Sequence, residues 1–315
     1  MEFNTQPNRE AYGKALVELG LTDQNIYVLD ADLSKSTFTK LFKMKFPERF
    51  INVGIAEQNG LGVAVGLAAL GKTVFFSTFA VFASMRACDQ VRQSVAYTQL
   101  NVKIVATSAG IENNADGVTH QAIEDMAIMR AIPNMTVLSP SDPVTTNKVV
   151  IAAAQYDGPV YIRLGRHDNE VLYPPNIDFQ LGKMIRLRDG KDATIIATGR
   201  MVGIALQAAQ LLEKEGLGIR VVDCHTIKPI DREEIISSAK ETGGIVTVED
   251  HNIIGGLGGA VSEIVCSEAP CIVKRIGVND TFACSAQGYQ ELYHKYGLDC
   301  GMVVMRVKEL IGRSK

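Results

Sequence analysis

Residues 53–58 place an acid where the surrounding sequence should be buried. The preceding residues form a short extended apolar run, and residues 60–69 are nearly all small or apolar. That second stretch is too apolar for a surface helix and too short to cross a bilayer, so we expect it to be buried. Glu57 then lies at a buried helix start, where a carboxylate must be paired or protonated, and both states are typical of a functional site. An isolated glutamate at a helix start more often does no more than interact favourably with the helix dipole. Whether Glu57 has a functional role therefore depends on which other residues accompany it.

Aromatic and polar residues follow two further strand-like runs. Phe79 and Phe82 are three residues apart and share one face of a helical turn, a spacing that alone is more typical of a core. A glycine-bearing loop holds Asp116 and His120 together with Thr and Gln. Such a loop is a plausible site for binding a polyhydroxylated substrate, although a turn capped by Asp116 with an exposed histidine is an equally good interpretation.

Three dispersed residues could bind an anion. Arg9 precedes a helix, Ser36 lies in a polar turn and Arg166 follows a strand. Arginine binds phosphate through two parallel hydrogen bonds, and serine through its hydroxyl. Each of them taken singly is more often a surface residue.

Other features predict structure rather than chemistry. The glycine-rich run at 255–259 does not complete a G-x-G-x-x-G motif and indicates a strand-to-helix loop. The remaining histidines stand alone and favour structural roles. Six cysteines without C-x-x-C spacing indicate reduced thiols and no metal site.

These residues must be positioned by an alternation of buried strands and helices. The pattern predicts strands at 26–29, 73–76, 102–106, 136–138 and 160–162, with helices at 9–19, 57–70, 81–97 and 144–155. A polar, proline-bearing stretch follows, and the alternation restarts near residue 194. The prediction is an α/β fold of two doubly wound domains with mostly parallel sheets. We expect domains at 1–166 and 191–315, joined by a linker at 167–190.

Composition excludes several classes of function. The 315 residues are 46% apolar and 21% charged, with a net charge of −3 and no basic cluster. This argues for a globular protein and against nucleic acid or an anionic membrane as its partner. The first residues carry an early acid and no apolar segment, so we expect no signal peptide.

Taken in order, the motifs resemble the transketolase family. They are Gly-Ile-Ala-Glu-Gln around Glu57, Thr-Phe at Phe79 followed by Phe82, Asp-Gly-x-Thr-His-Gln from Asp116, and Pro-Asn-Met at 133–135. The second half, with Val-Glu-Asp-His at 248–251 and Gly-Leu-Gly at 256–258, is similar to the transketolase C-terminal domain. The resemblance covers nearly the whole chain.

The resemblance implies a role for each candidate. Glu57 would bond the aminopyrimidine ring of thiamine diphosphate and favour the tautomer in which the cofactor acts as its own base. Phe79 and Phe82 would pack on that ring, and Asp116 and His120 would bind sugar hydroxyls, with His120 assisting proton transfer. The phosphate-binding positions correspond to three residues, with Arg163 as the competing choice for the last: Arg9, Ser36 and Arg166.

Two departures from the family matter. Ser108 replaces a histidine that many transketolases carry at the loop start, which puts one sugar contact in question. The sequence also lacks the Gly-Asp-Gly of the family's diphosphate-binding domain. The resemblance then implies the C-terminal subunit of a split transketolase, which self-associates through its pyrimidine domain into a heterotetramer with an N-terminal subunit. That partner would hold Mg²⁺ and the cofactor phosphates, and the enzyme would act on sugar phosphates in the cytoplasmic pentose phosphate pathway.

Three alternatives stay open at this point. Half of a deoxyxylulose-phosphate-synthase-like enzyme would share the same motifs, and a 2-oxoacid dehydrogenase subunit would share the half-enzyme architecture. A non-catalytic scaffold that kept the fold belongs to a different class. The loop around His120 fits the dehydrogenase poorly, and a scaffold would need neither Glu57, His120 nor the phosphate-binding residues.

Overall fold

The computed structural model describes residues 4–313 and contains two large β-sheets covered by helices. The first sheet has seven strands, of which only one edge strand is antiparallel. Its central strands are buried along their whole length, as expected for a parallel sheet covered on both faces. In spatial order, the strands are β12 (Thr226–Lys228), β6 (Thr136–Leu138), β7 (Val160–Arg163), β5 (Val102–Thr107), β4 (Thr73–Phe79), β2 (Ile26–Asp30) and β3 (Phe50–Asn52).

Helices connect the strands of this first unit. α6, for example, starts where the Asp142 side chain accepts a hydrogen bond from the Thr145 amide and Pro143 fills the first helical position. The helices are α1 (Asn8–Thr22), α2 (Lys40–Lys45), α3 (Glu57–Ala69), α4 (Cys88–Gln90), α5 (Asp125–Ala131) and α6 (Pro143–Gln155), with a 3₁₀ turn at Pro47–Arg49 and π-helical turns at Phe82–Arg86 and Val91–Ala96.

The second unit is built on a five-stranded sheet with one antiparallel edge strand. In spatial order, its strands are β14 (Val273–Val278), β13 (Ile245–Asn252), β10 (Ala193–Ala197), β11 (Ile219–Asp223) and β9 (Ile185–Arg188). Its helices are α7 (Met201–Lys214), α8 (Arg232–Glu241), α9 (Leu257–Glu268), α10 (Tyr289–Lys295) and α11 (Cys300–Arg313). A separate antiparallel pair joins β1 (Thr5–Pro7) to β8 (Asp168–Glu170).

The predicted fold class, two doubly wound α/β units with mostly parallel sheets, is confirmed. Three details differ from the sequence prediction. β8 and β9 fall within the 167–190 segment, and β12 crosses from the second half to the sheet of the first. The helix predicted over 81–97 is interrupted, since α4 lies between two π-helical turns. Hydrophobic periodicity does not reveal short strands whose partners are distant in sequence. Nor does it reveal where backbone hydrogen bonds change from the i+4 spacing of an α-helix to the i+5 spacing of a π-helix.

The expected burial of α3 holds on one face only. Leu61, Ala64 and Ala68 pack inward, whereas Gly62 and Gly66 on the other face are exposed. Leu70, which follows the helix, and Ile55, which precedes it, are each 78% exposed. The chain thus covers one face of this helix and leaves the other, formed mainly of small residues and flanked by Ile55 and Leu70, uncovered. Within residues 4–313, no helix combines the length and apolar character that a membrane span requires.

Candidate active site

Glu57 is the first residue of α3 and is 2% exposed. Gly54, with φ +73°, turns the chain from β3 toward this helix. Gly60 allows α3 to approach the sheet, since a Cβ there would lie 2.5 Å from the Phe76 ring. Oε1 of Glu57 accepts a hydrogen bond from Nη1 of Arg86 at 2.9 Å. The result is a buried carboxylate at a helix N-terminus with one cation beside it.

Two phenyl rings extend this site from the end of β4. The Phe79 and Phe82 rings stack with centroids 5.9 Å apart. The His120 ring makes T-shaped contacts with both rings, its centroid 5.3 Å from that of Phe82 and 6.2 Å from that of Phe79. The guanidinium of Arg86 lies 4.1 Å from the Phe82 centroid. Glu57, the aromatic pair and His120 therefore form one cluster, although the loop of His120 lies far along the chain from α3.

His120 and Asp116 lie on a loop that is closed at its base. Gly110 and Ala122 exchange backbone hydrogen bonds of 2.8 and 3.0 Å, which makes residues 110–122 a single closed loop, hereafter the 110–122 loop. Nδ1 of His120 shares a hydrogen bond with the Thr119 hydroxyl at 2.9 Å. Asp116 is exposed, and its carboxylate lies 3.9 Å from Nη1 of Arg166.

Arg9, Ser36 and Arg166 meet beside this loop. Nη1 of Arg9 donates to the Ser36 carbonyl oxygen at 2.5 Å, and Nη2 donates to the carbonyl oxygen of Arg166. Burial lowers the pKa of Arg9 from its usual value, and the neighbouring Arg166 cation lowers it further. Two cations held this close favour an anion between or beside them.

The structure thus connects the sequence candidates through a continuous series of contacts. Contacts run from the buried acid through the aromatic pair to the 110–122 loop, and from that loop to the arginine pair. Ser36 joins through its carbonyl oxygen. Arg86 links Glu57 to Phe82, and the loop backbone links His120 to Asp116. The residues connected in this way are Glu57, Phe82, Phe79, His120, Asp116, Arg166, Arg9 and Ser36.

Arg163, the competing arginine, is occupied inside the protein. Its Nε donates to the Asp125 carboxylate at 2.9 Å, and its Nη2 donates to the carbonyl oxygen of Asp250 at 2.6 Å. The residue is 6% exposed. It therefore joins the two units and does not face the site.

Ser108 stands at the end of β5, next to the loop. It is fully buried, adopts φ +57° and finds no hydrogen-bond partner for its Oγ within residues 4–313. A buried hydroxyl without a hydrogen-bond partner costs free energy. Residues with a positive φ, such as Ser108, cluster at functional sites.

Sequence reasoning missed Arg86 and Glu112. Oε2 of Glu112 accepts the backbone N–H groups of Arg166 and His167 at 2.7 and 2.8 Å, while Oε1 accepts from Nε of Arg200 at 2.6 Å. Although burial opposes it, the Arg200 cation and the His167 amide hold the pKa of Glu112 below its usual range. Glu112 thus fixes the backbone at Arg166. Its partners are distant in sequence, so no local signal indicates it.

The conspicuous motif of the second unit is structural. Glu249 accepts the amides of Leu257 and Gly258 at 2.6 and 2.8 Å and so caps α9, which makes the glycine run a strand-to-helix loop, as predicted. The His251 ring is buried, bonded to the Ala127 amide and to a backbone carbonyl, and burial lowers its pKa to about 4. Across residues 4–313, no three His, Cys, Asp or Glu side chains are arranged to bind a metal ion.

Comparison with known proteins assigns each half of the chain to a family. The family model "Transketolase, pyrimidine binding domain" matches residues 4–170, and "Transketolase, C-terminal domain" matches residues 182–303. The chain is 51% identical over 304 residues to a "Putative transketolase C-terminal section" of Methanocaldococcus jannaschii, which covers 96% of this chain and 95% of that protein. It is 44% identical over 307 residues to a "6-deoxy-6-sulfo-D-fructose transketolase subunit SqwH" of Clostridium sp. (strain MSTE9), with 97% and 95% covered.

A solved structure described as "Split gene transketolase, inactive beta4 tetramer" matches with a TM-score of 0.91 at 51% identity. The match covers 99% of this chain and 100% of that one. By contrast, the chain spans about half the length of the mammalian transketolases to which it is also similar.

Proposed function

The chain belongs to the transketolase family, and we propose that it is the C-terminal subunit of a thiamine-diphosphate-dependent transketolase. In this proposal the enzyme moves a two-carbon ketol unit from a ketose phosphate to an aldose phosphate. It is active only when a partner chain supplies the diphosphate and Mg²⁺ site. The observation that carries the proposal is the series of contacts from Glu57 to the Arg9–Arg166 pair.

The residues at one end of that series fit the cofactor's aminopyrimidine ring. A buried carboxylate beside a pair of stacked phenyl rings suits a flat heteroaromatic ring whose nitrogen needs a hydrogen bond. When bound, thiamine diphosphate supplies the nucleophilic carbon that takes up the ketol unit. Glu57 would hold a proton at the pyrimidine nitrogen, and Phe79 and Phe82 would orient the ring and exclude water.

The other end of the series fits a sugar phosphate. Arg9 and Arg166 supply two neighbouring cations, and Ser36, half-buried and bonded to Arg9 through its carbonyl oxygen, would add its hydroxyl. Asp116 and His120 lie between these cations and the aromatic pair, where they would bind the hydroxyls of an extended sugar. His120, edge-on to Phe82, would also transfer protons to and from the substrate oxygens. Ser108 is too short to replace the contact of a histidine.

Assembly is the second part of the proposal. The relatives described as a C-terminal section and as a split-gene product support a separate N-terminal subunit that carries the diphosphate-binding domain. The uncovered face of α3 supports self-association through the first unit, and two copies of each chain would make a heterotetramer. We further propose residues 1–166 and 191–315 as the domains, 167–190 as their connection, and the cytoplasmic pentose phosphate pathway as the setting.

A sulfonated ketose is the second candidate substrate, because a relative at 44% identity is described as a sulfofructose transketolase subunit. A sulfonate carries one negative charge, whereas a phosphate monoester carries nearly two at pH 7. Two adjacent arginines favour the more highly charged group, so we expect the phosphate to bind more tightly.

The test is reconstitution with a partner chain that carries the family's diphosphate-binding domain. We expect xylulose 5-phosphate and ribose 5-phosphate to be converted only when both chains are present. Glu57→Gln should lower turnover by about a hundredfold or more with assembly intact, while Glu48→Gln, which changes an exposed acid, should have no effect. Turnover of pyruvate instead of sugars would favour the synthase-like or dehydrogenase alternatives. Unchanged turnover in Glu57→Gln would refute the catalytic assignment.

A further inference from the structure

The second unit holds the 110–122 loop at its base. The Asp250 carboxylate, at the end of β13, accepts the Ile111 amide with oxygen distances of 3.0 and 3.3 Å. Tyr293 of α10 donates its hydroxyl to the same carboxylate at 2.9 Å. Gly110 makes this approach feasible: its φ is +71°, and a Cβ there would lie 2.0 Å from Oδ2 of Asp250. The carboxylate thus sits directly against the loop backbone.

A second contact runs along the middle of the loop. The segment between β14 and α10 bonds the loop from outside: Nδ2 of Asn114 donates to the carbonyl oxygens of Ala286 and Gln287, both at 3.0 Å, and the Ala286 amide donates to the Asn114 carbonyl oxygen at 3.0 Å. Nε2 of Gln121 donates to the Cys284 carbonyl oxygen at 3.1 Å. These bonds lie on both sides of Asp116 and His120 in the sequence.

Together the two contacts add to the bonds that Glu112 and the Gly110–Ala122 pair already make, and so help to order this segment. A surface loop of this length normally samples several conformations, and ordering its backbone costs about 1–2 kcal/mol per residue. Asp116 contacts Arg166, and His120 contacts Phe79 and Phe82. The second unit adds the bonds that hold the loop backbone on both sides of these two residues.

We infer that Asp250 is a positioning residue for sugar binding, because it holds the loop that carries Asp116 and His120. The inference rests on the proposed function for the sugar and extends it by giving the second unit a task in the reaction. Asp250 itself touches neither the aromatic pair nor the arginine pair in any contact of residues 4–313.

The first test uses the isolated chain and needs no activity. Amide hydrogen exchange is measured by mass spectrometry on peptides covering 110–122 in the wild type and in Asp250→Ala, Asp250→Asn and Asp223→Ala. Asp223 is the matched control, since it is a fully buried acid at the end of β11 that bonds Ser141 and Tyr173, not the loop. We expect exchange at least about tenfold faster in Asp250→Ala, mostly restored in Asp250→Asn, whose amide oxygen still accepts the Ile111 N–H, and unchanged loop exchange in Asp223→Ala.

The second test uses the reconstituted complex. We expect Asp250→Ala to raise KM for xylulose 5-phosphate about tenfold while the Kd of thiamine diphosphate stays constant, with recovery in Asp250→Asn. If Asp250→Ala does not fold, Asn114→Ala removes the two side-chain bonds of the second contact without exposing a buried acid, and it should give the same split between KM and Kd.

The outcomes separate the two proposals. Unchanged loop exchange in Asp250→Ala overturns this inference alone. Faster exchange with unaltered sugar kinetics overturns the assignment of the loop to the sugar, and with it this inference. Equal losses of sugar and cofactor binding in Asp250→Ala and Asp223→Ala would indicate general destabilisation and also overturn it.

Discussion

Nη1 of Arg86 lies 2.9 Å from Oε1 of Glu57, and the same guanidinium covers the Phe82 ring at 4.1 Å. One side chain therefore occupies both groups that the proposed function assigns to the pyrimidine ring. The π-helical turn at Phe82–Arg86 presents it there, and such turns are frequent at functional sites. Binding of the ring would require Arg86 to leave Phe82 and release the carboxylate.

The first prediction concerns this displacement. Arg86→Met removes the salt bridge to Glu57 and the cation–π contact with Phe82. The pyrimidine ring should then bind without the free-energy cost of breaking these two contacts. We expect the Kd of thiamine diphosphate in the reconstituted complex to fall about tenfold, measured by calorimetry. Arg92→Met, which changes an exposed arginine in the following π-helical turn, is the control. Weaker cofactor binding in Arg86→Met would mean that Arg86 holds Glu57 in place for the ring.

The second prediction concerns the anion site. Arg166→Met should raise KM for a phosphorylated ketose by about tenfold to a hundredfold, because a charge-assisted bond to the phosphate is lost. A ketose without phosphate should be converted at the wild-type rate. Arg232→Met, at an exposed arginine of the second unit, should leave both unchanged. Equal effects on both sugars would contradict the assignment of Arg166 to the phosphate.

The third prediction concerns the uncovered face of α3. A Cβ at Gly66 would meet no atom within 4 Å, so Gly66→Glu fits the single chain and improves helix propensity by about 1 kcal/mol. It would place a charge on an apolar contact between copies. We expect a smaller mass in analytical ultracentrifugation, with the chain still folded and unfolding cooperatively on heating. Gly312→Glu, at an equally open glycine of α11, should keep the native mass. A native mass in Gly66→Glu would exclude this face as the interface.

The fourth prediction concerns stability and pH. Burial raises the pKa of Asp223 from 3.8 to about 7, partly offset by the Ser141 and Tyr173 hydroxyls. Because the folded pKa is the higher one, this group favours folding fully below pH 3.8, and that contribution is lost as pH rises toward 7. The asparagine side chain of the Asp223→Asn variant resembles the protonated acid and does not titrate, so this variant should not lose stability in that way as the pH rises. Urea unfolding between pH 5 and 8 should therefore show the wild type losing a few kcal/mol relative to Asp223→Asn as pH rises. A constant difference would show that Asp223 does not titrate in this range.

Local sequence predicted the fold and much of the candidate site because both are recorded in short segments. Glu57 is followed within a few residues by its apolar run. Asp116 and His120 lie four residues apart in one loop. Phe79 and Phe82 were expected to share a face of one helical turn; their rings do stack, but Phe79 ends β4 and only Phe82 belongs to a helical turn. The expected complete burial of α3 failed because the chain covers only one face of that helix.

What the sequence did not predict depends on contacts between distant segments. Glu112 acquires its role from Arg200 and from the backbone at Arg166, and Asp250 from Ile111. Each is an ordinary acid in its own neighbourhood. Arg86 was hidden for another reason, since the pattern of residues 81–97 predicts a regular helix and does not indicate the π-helical turn that directs this side chain to Glu57.

The most direct measurement is a structure of the reconstituted complex with thiamine diphosphate and Mg²⁺ bound. We predict the pyrimidine nitrogen within hydrogen-bonding distance of the Glu57 carboxylate, the ring against Phe82, and the diphosphate and metal held by the partner chain. A ring bound away from Glu57, or a diphosphate anchored entirely by residues of this chain, would contradict the account.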